Sequence, residues 1–325
     1  MRELLSRILS GGELLASVIH WGKVLSMNTK VKIAGVEFKN PVTVASGTFG
    51  SGTEYSDFFD LGRLGAVTTK GVANVPWEGN PTPRVAEVEA GMLNAIGLQN
   101  PGIDTFIKRD IPFLRGFDTK IIVNVCGHEP SEYVEVVERL ASEDVDMLEI
   151  NISCPNVKAG GITLGTDPKK VELITKDIKM KAKQPVIIKL SPNVTDITEI
   201  AKAAEAGGAD GVSLINTITG MKIDINRRDF VLHNKTGGMS GPCIHPVAVR
   251  MVYQVANAVN IPIIGMGGVK TYEDALELIM AGATMVAVGT SNFNNPYTTL
   301  EVIDGIEEYM KNNNIVDVNE LVGCV

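Results

Sequence analysis

Eight short apolar runs, spread along the chain, limit what this sequence can fold into. They are PVTVAS (41–46), GAVTTK (65–70), KIIVNV (120–125), DMLEIN (146–151), PVIIKLS (185–191), DGVSLIN (210–216), IPIIGMGG (261–268) and TMVAVGT (284–290). They are nearly continuous rather than alternating, as parallel strands covered on both faces must be. Helical spacing fills most of the intervals. PSEYVEVVERLASE (130–143) is expected to start at Ser131 as N-cap, with acids early in the segment. In KKVELITKDIKMKAK (169–183), Val171, Ile174, Ile178 and Met180 are expected to face inward. VTDITEIAKAAEAGG (194–208) stops in glycines, and segments 271–283 and 296–313 complete the set. Strands alternating with helices predict an α/β fold. A doubly wound open sheet uses the same alternation, but the count of eight favours closure into a (β/α)8 TIM barrel. VKIAGVEF, centred on Ala34 and Gly35, adds a short β-hairpin in front of it.

A barrel puts its active groups at the C-terminal ends of the strands. Here those ends are polar or expose backbone in every case. The first strand ends in Ala45, Ser46 and Gly47, the second in Lys70 and Gly71, the third at Asn124 and the fourth at Asn151. The fifth carries Lys189, the sixth ends in Asn216 and Thr217, the seventh in Gly267 and Gly268, and the eighth in Gly289 and Thr290. Together they predict one large polar pocket at the barrel mouth.

Composition narrows the class. With 44% hydrophobic but only 5% aromatic residues, the core must be mostly aliphatic. Thirty basic and 38 acidic residues give a net charge of −8 with no basic run, which argues against a nucleic-acid partner. Four separated cysteines (126, 154, 243, 324) form no CxxC pair and no metal spacing, so no metal site and a reducing cytoplasm are expected. No apolar run reaches membrane-spanning length. Residues 1–26 stand apart as an extension of uncertain status, with the domain taken as 27–325. Leu4, Leu5, Ile8 and Leu9, then Leu14, Leu15, Val18 and Ile19, have helical spacing around Gly11 and Gly12. Three readings stay open: a surface-lying amphipathic helix pair, a docking segment, or an upstream extension with Met27 as the true first residue. The last is preferred.

The glycines of GMGGV and VGT let backbone approach a ligand closely, at the usual phosphate position of barrels. FMN and sugar phosphates both fit that feature. Lys70 and Lys189 sit among apolar neighbours, where a cation calls for an anion. Asn94, Asn151, Asn156 and Asn216 offer donors and acceptors to a flat ligand, such as a pyrimidine ring. EINISCPNVKAGG (149–161) places the Cys154 thiol between amides, where a strand cysteine is otherwise a small core hydrophobe.

From about residue 31 onward the chain resembles the dihydroorotate dehydrogenases, flavoenzymes of pyrimidine synthesis. The likeness rests on ASGTFG, TTKGV, GMLNAIGLQNPG, NISCPNVKAGG, IKLSPN, LINT, GGMSGP, GMGGV and AVGTSNF, in that order. It implies that Cys154 is the base that takes the C5 proton of dihydroorotate, while N5 of FMN takes the C6 hydride. It implies substrate contacts from Lys70, Asn94, Asn151, Asn156, Asn216 and Thr217, and from the stretch Ala95, Ile96, Gly97 and Leu98. For one FMN per chain it implies Ser46, Lys70, Gly71, Asn124, Asn151, Lys189, Ile215, Gly241, Gly267, Gly268, Gly289 and Thr290. A thiol base with an ordinary pKa of about 8.5 predicts activity that rises with pH.

Membrane-associated, quinone-reducing members place serine at the base position, so Cys154 points to the soluble class 1 enzymes. The first 26 residues superficially mimic the membrane-type extension and are the conflicting signal. NISCPNVKAGG and LNAIGLQN resemble the 1B type, which passes electrons to NAD through a separate subunit carrying FAD and a [2Fe–2S] cluster. That implies a homodimer core within a two-plus-two heterotetramer. The chain has neither a four-cysteine cluster pattern nor a GxGxxG after its first strand, so those cofactors are expected on the partner. The alternatives are a class 1A-type enzyme using fumarate, a dihydropyrimidine dehydrogenase-like module, a phosphosugar isomerase barrel and a non-catalytic scaffold.

Overall fold

The computed structural model describes residues 27–153 and 164–325. The expected extension 1–26, Cys154 and Asn156 lie outside the described residues. A hairpin of Val31–Ile33 and Val36–Phe38 comes first, turning at Ala34 and Gly35 as expected. Eight parallel strands follow, each inside one of the apolar runs. They are β1 (Val42–Val44), β2 (Ala66–Thr68), β3 (Lys120–Val125), β4 (Met147–Asn151), β5 (Val186–Lys189), β6 (Gly211–Leu214), β7 (Ile263–Met266) and β8 (Met285–Val288). All but Lys120, at the start of β3, are buried residues, which explains the missing alternation.

The hydrogen-bonded ladder runs β1-β8-β7-β6-β5-β4-β3-β2. Its two ends meet, which makes the sheet a barrel. The Gly65 amide donates to the Val42 carbonyl at 3.0 Å. Thr43 Oγ1 donates to the Ala66 carbonyl at 2.9 Å and lies 3.0 Å from Thr68 Oγ1. This seam needs glycine at 65, because a Cβ there would sit 2.2 Å from the Asn40 carbonyl oxygen.

Among the described residues, seven longer helical segments cover the strands: α1 (103–114), α2 (Pro130–Leu140), α3 (Pro168–Lys181), α4 (Ile197–Ala206), α5 (His245–Ala256), α6 (Tyr272–Met280) and α7 (Thr298–Asn312). α1 contains a π-helical stretch, Phe106–Asp110. Two local expectations are corrected. α2 has Glu129 at its N-cap and Pro130 at its first position, so Ser131 lies inside the helix. Proline is pre-set for that first position, and it fixes the start two residues earlier. In α3, Val171, Ile174 and Ile178 are buried, but Met180 is 73% exposed. Two residues beyond Ile178 is about 200° around the helix, onto the solvent side. α5 was not expected from the sequence, although Ala248, Met251, Val252 and Val255 line its buried face.

The loops after β2 and β6 are long and pair with each other. Ile218–Met221, Thr236–Ser240, Gly91–Asn94 and Val85–Val88 form a four-stranded antiparallel sheet in that order. It has its own small apolar cluster of Ala86, Leu93, Ala95 and Leu232. The main core is aliphatic, as the composition demands. Among the described residues no helix is long and apolar enough to cross a membrane. Nor does any cluster of three His, Cys, Asp or Glu suit a metal.

Candidate active site

At the C-terminal ends of the strands lies a cavity of about 430 Å³. Its size is that of a small-molecule site. Ser46, Lys70, Gly71, Asn94, Ile96, Gly97, Leu98, Asn151, Lys189, Ile215, Asn216, Thr217, Gly241, Gly267, Gly268, Gly289 and Thr290 all line it. Seventeen positions singled out from the sequence are therefore brought together. Two are not on the lining. Asn124 is fully buried, one layer below the cavity. Ala95 is also fully buried, and packs in the cluster under the antiparallel sheet. Its carbonyl accepts from Asn80 Nδ2 at 3.0 Å, so it supports the cavity wall from behind.

The wall made by β3, β4 and β5 is built from side chains. Lys189 is 4% exposed, and its Nζ lies 3.5 Å from Glu149 Oε2 and donates to Ser46 Oγ at 3.3 Å. Glu149 also accepts from Ser213 Oγ at 2.7 Å and from Asn124 Nδ2 at 2.5 Å. A cation buried this deeply must be paired, and Glu149 supplies the pairing charge. Above it, Asn151 Nδ2 reaches Asn124 Oδ1 at 3.5 Å. Ser153 Oγ donates to Asn151 Oδ1 at 2.8 Å and accepts from Asn216 Nδ2 at 2.6 Å. One hydroxyl thus couples two of the amides expected to meet a ligand. Thr217 is held through its carbonyl, which accepts from Asn193 Nδ2 at 3.0 Å.

The wall made by β7 and β8 is built from backbone. Gly267 has φ +131° and Gly268 φ +75°, a region side chains rarely adopt. A Cβ on Gly268 would fall 2.6 Å from the Cβ of His245, and one on Gly267 2.7 Å from that of Ala248. His245 Nδ1 bonds the Gly267 carbonyl at 2.8 Å, so the first residue of α5 braces this turn. Thr290 Oγ1 donates to Ser240 Oγ at 2.8 Å, tying β8 to the antiparallel sheet.

Sequence reading missed several lining residues. Met92, Ile244, Met266, Ala287 and Phe293 supply apolar surface, and Val85 and Ser240 come from the antiparallel sheet. Met266 and Ala287 could have been found as the last inward residues of β7 and β8. Val85 could not, because nothing local ties it to the barrel mouth. Glu149 was missed too, since it sits inside an apolar run with no outward sign of a partner. Lys70 lines the cavity at the end of β2, with its own amide donating to the Gly50 carbonyl at 2.8 Å.

Chemically, the cavity offers two cations, three amides and glycine turns on one side of an apolar slot. Such a set suits a planar, polar-edged ring with an anionic tail. The family model for dihydroorotate dehydrogenase matches residues 28–310. Curated relatives carry the name dihydroorotate dehydrogenase B (NAD(+)), catalytic subunit, three of them as follows. One, from Lachnoclostridium phytofermentans, is 72% identical over 92% of this chain and 100% of its own length. One from Alkaliphilus metalliredigens is 64% identical over 92% and 99%. One from Thermoanaerobacter pseudethanolicus is 54% identical over 92% and 99%.

Proposed function

Because the chain belongs to the dihydroorotate dehydrogenase family, we propose that it oxidises (S)-dihydroorotate to orotate in pyrimidine synthesis with FMN held in the barrel mouth. One observation carries this reading: Lys70, Asn94, Asn151, Lys189 and Asn216 converge on one cavity whose opposite wall is the Gly267–Gly268 turn. The residues suit FMN. Lys189, Asn151 and Ser46 provide a cation, an amide and a hydroxyl for a ring edge, with Asn124 behind Asn151, and the glycine wall accommodates a phosphate. FMN, when bound, would supply the acceptor for the hydride that leaves C6 of the substrate.

The chain's own groups do the rest. Asn94, Asn151, Asn156 and Asn216 hold the pyrimidine ring through donors and acceptors matched to its edges. The Cys154 thiolate takes the proton from C5 on the ring face away from the flavin. The Lys70 ammonium stabilises negative charge that builds on the substrate. The apolar lining from Ile215, Met266 and Leu98 limits water around these charges.

The relatives' designation as catalytic subunits supports a second, electron-carrying subunit. We assign FAD and a [2Fe–2S] cluster to that partner, with NAD+ as final acceptor, two copies of each chain in the assembly, and a cytoplasmic setting.

The test is anaerobic addition of L-dihydroorotate to the purified chain, followed by visible absorbance. Bleaching of a flavin spectrum is the expected result. An unchanged flavin spectrum would move the substrate to another reduced pyrimidine, dihydrouracil first. Absence of flavin after reconstitution with FMN would overturn the reading.

A further inference from the structure

Glu149 is a carboxylate 1% exposed inside the barrel, and no step of the proposed reaction uses it. Burying such a charge is expensive unless every acceptor site is used. Its three partners come from three strands: Asn124 on β3, Lys189 on β5 and Ser213 on β6. A carboxylate can only accept, so it dictates the direction of the bonds around it. Asn124 must turn its Nδ2 down to Glu149, which leaves its Oδ1 facing up to Asn151 Nδ2 at 3.5 Å. Lys189 is drawn to the same carboxylate and still reaches Ser46 Oγ at 3.3 Å.

We propose that Glu149 is a positioning residue for the flavin, holding the Lys189 ammonium directly, and Asn151 by way of the Asn124 amide, in the orientation that receives it. The inference rests on the flavin reading above. Glu149 does not line the cavity, so it acts only through its neighbours. Glutamine at this position keeps the shape but can donate as well as accept. The direction of the network is then no longer fixed, and the charge on Lys189 is no longer offset.

The test is a double-mutant cycle on FMN binding to flavin-free protein, using Glu149→Gln, Lys189→Met and the double variant. The wild-type chain is measured first. Failure of wild type to bind FMN overturns the flavin reading itself and is separate from the fate of this inference. Given wild-type binding, Glu149→Gln is expected to weaken FMN about tenfold, within the range for residues sharing a charged network. In the Lys189→Met background the same change is expected to have much less effect. Equal losses in both backgrounds would mean that Glu149 acts only on general stability, and would overturn the proposal. The double variant leaves no lone buried charge, so it keeps the cycle measurable if Glu149→Gln folds poorly. In that case the double variant and Lys189→Met must bind FMN alike, and a further loss in the double variant overturns the proposal. The midpoint potential of bound FMN is the second readout. It should rise in Glu149→Gln and fall in Lys189→Met, and an unchanged potential in Glu149→Gln counts against the proposal.

Discussion

The two ends of the barrel use the same residue types for opposite purposes. At the N-terminal end, Asp146 stands just before β4, and its Oδ2 accepts from the Ile121 amide at 2.9 Å and from Arg115 at 3.0 Å. Its Oδ1 accepts from Lys120 at 2.9 Å. Asp210, just before β6, accepts from the Val186 amide at 2.7 Å and from Lys179 at 2.5 Å. Asn40, before β1, accepts from the Gly65 amide at 3.1 Å. Each of these ties one strand to its neighbour. At the mouth, Asn94, Asn151 and Asn216 line the cavity instead. An acid or amide at the base ties strands together, and an amide at the mouth is braced by its neighbours with a face on the cavity.

That contrast can be broken most forcefully at the mouth. Cys154→Ala is expected to lower dihydroorotate turnover about 10²- to 10⁴-fold, the range for losing a positioned base, while flavin content stays normal. Steady-state kinetics beside the absorbance spectrum check both halves, and near-normal turnover would sink the assignment of the base. Gly268→Ala should weaken FMN about tenfold or more, from strain of roughly 1–3 kcal/mol at φ +75° together with the 2.6 Å approach to His245. Flavin content after dialysis reads this out. Ser153→Ala should raise KM for dihydroorotate about three- to tenfold, since one hydroxyl bridges Asn151 and Asn216.

The base should behave the other way. Burial alone would raise the pKa of Asp146, but the Ile121 amide, Lys120 and Arg115 outweigh it and hold the group below the ordinary carboxylate value. A depressed folded pKa gives stability that is present above the unfolded value of about 3.9 and lost as pH falls through the folded one. Asp146→Asn should therefore lower Tm at neutral pH, by about 1–2 kcal/mol of stability, and leave turnover at ambient temperature unchanged. The deficit should shrink in acid. Thermal melts at pH 7 and near pH 3 decide this, and a deficit that grows in acid would contradict the ion-pair account.

The barrel was legible because eight buried strands leave eight apolar runs, and the strand ends were legible because polarity changes there abruptly. The four-stranded sheet was not. Its strands are short, three of the four carry glycine, as in TGGMS, and the pairing of Gly91–Asn94 with Thr236–Ser240 joins loops more than 140 residues apart in sequence. α5 was obscured by Pro246 and by alternating Val247 and Val249, which read locally as strand-like although its buried face is helical. Glu149 and Asn124 could be named in the sequence but not joined there, because their contact depends on barrel layering rather than on spacing.

The antiparallel sheet beside the cavity joins the loop after β2 to the loop after β6 through the register of Met239 on Leu93. These loops therefore form one structural part rather than two. Anyone reshaping this pocket by grafting loops from a relative must move residues 85–94 and 218–240 as a matched pair. A library that varies only one of them would discard most of its members for mispairing before substrate preference is ever tested.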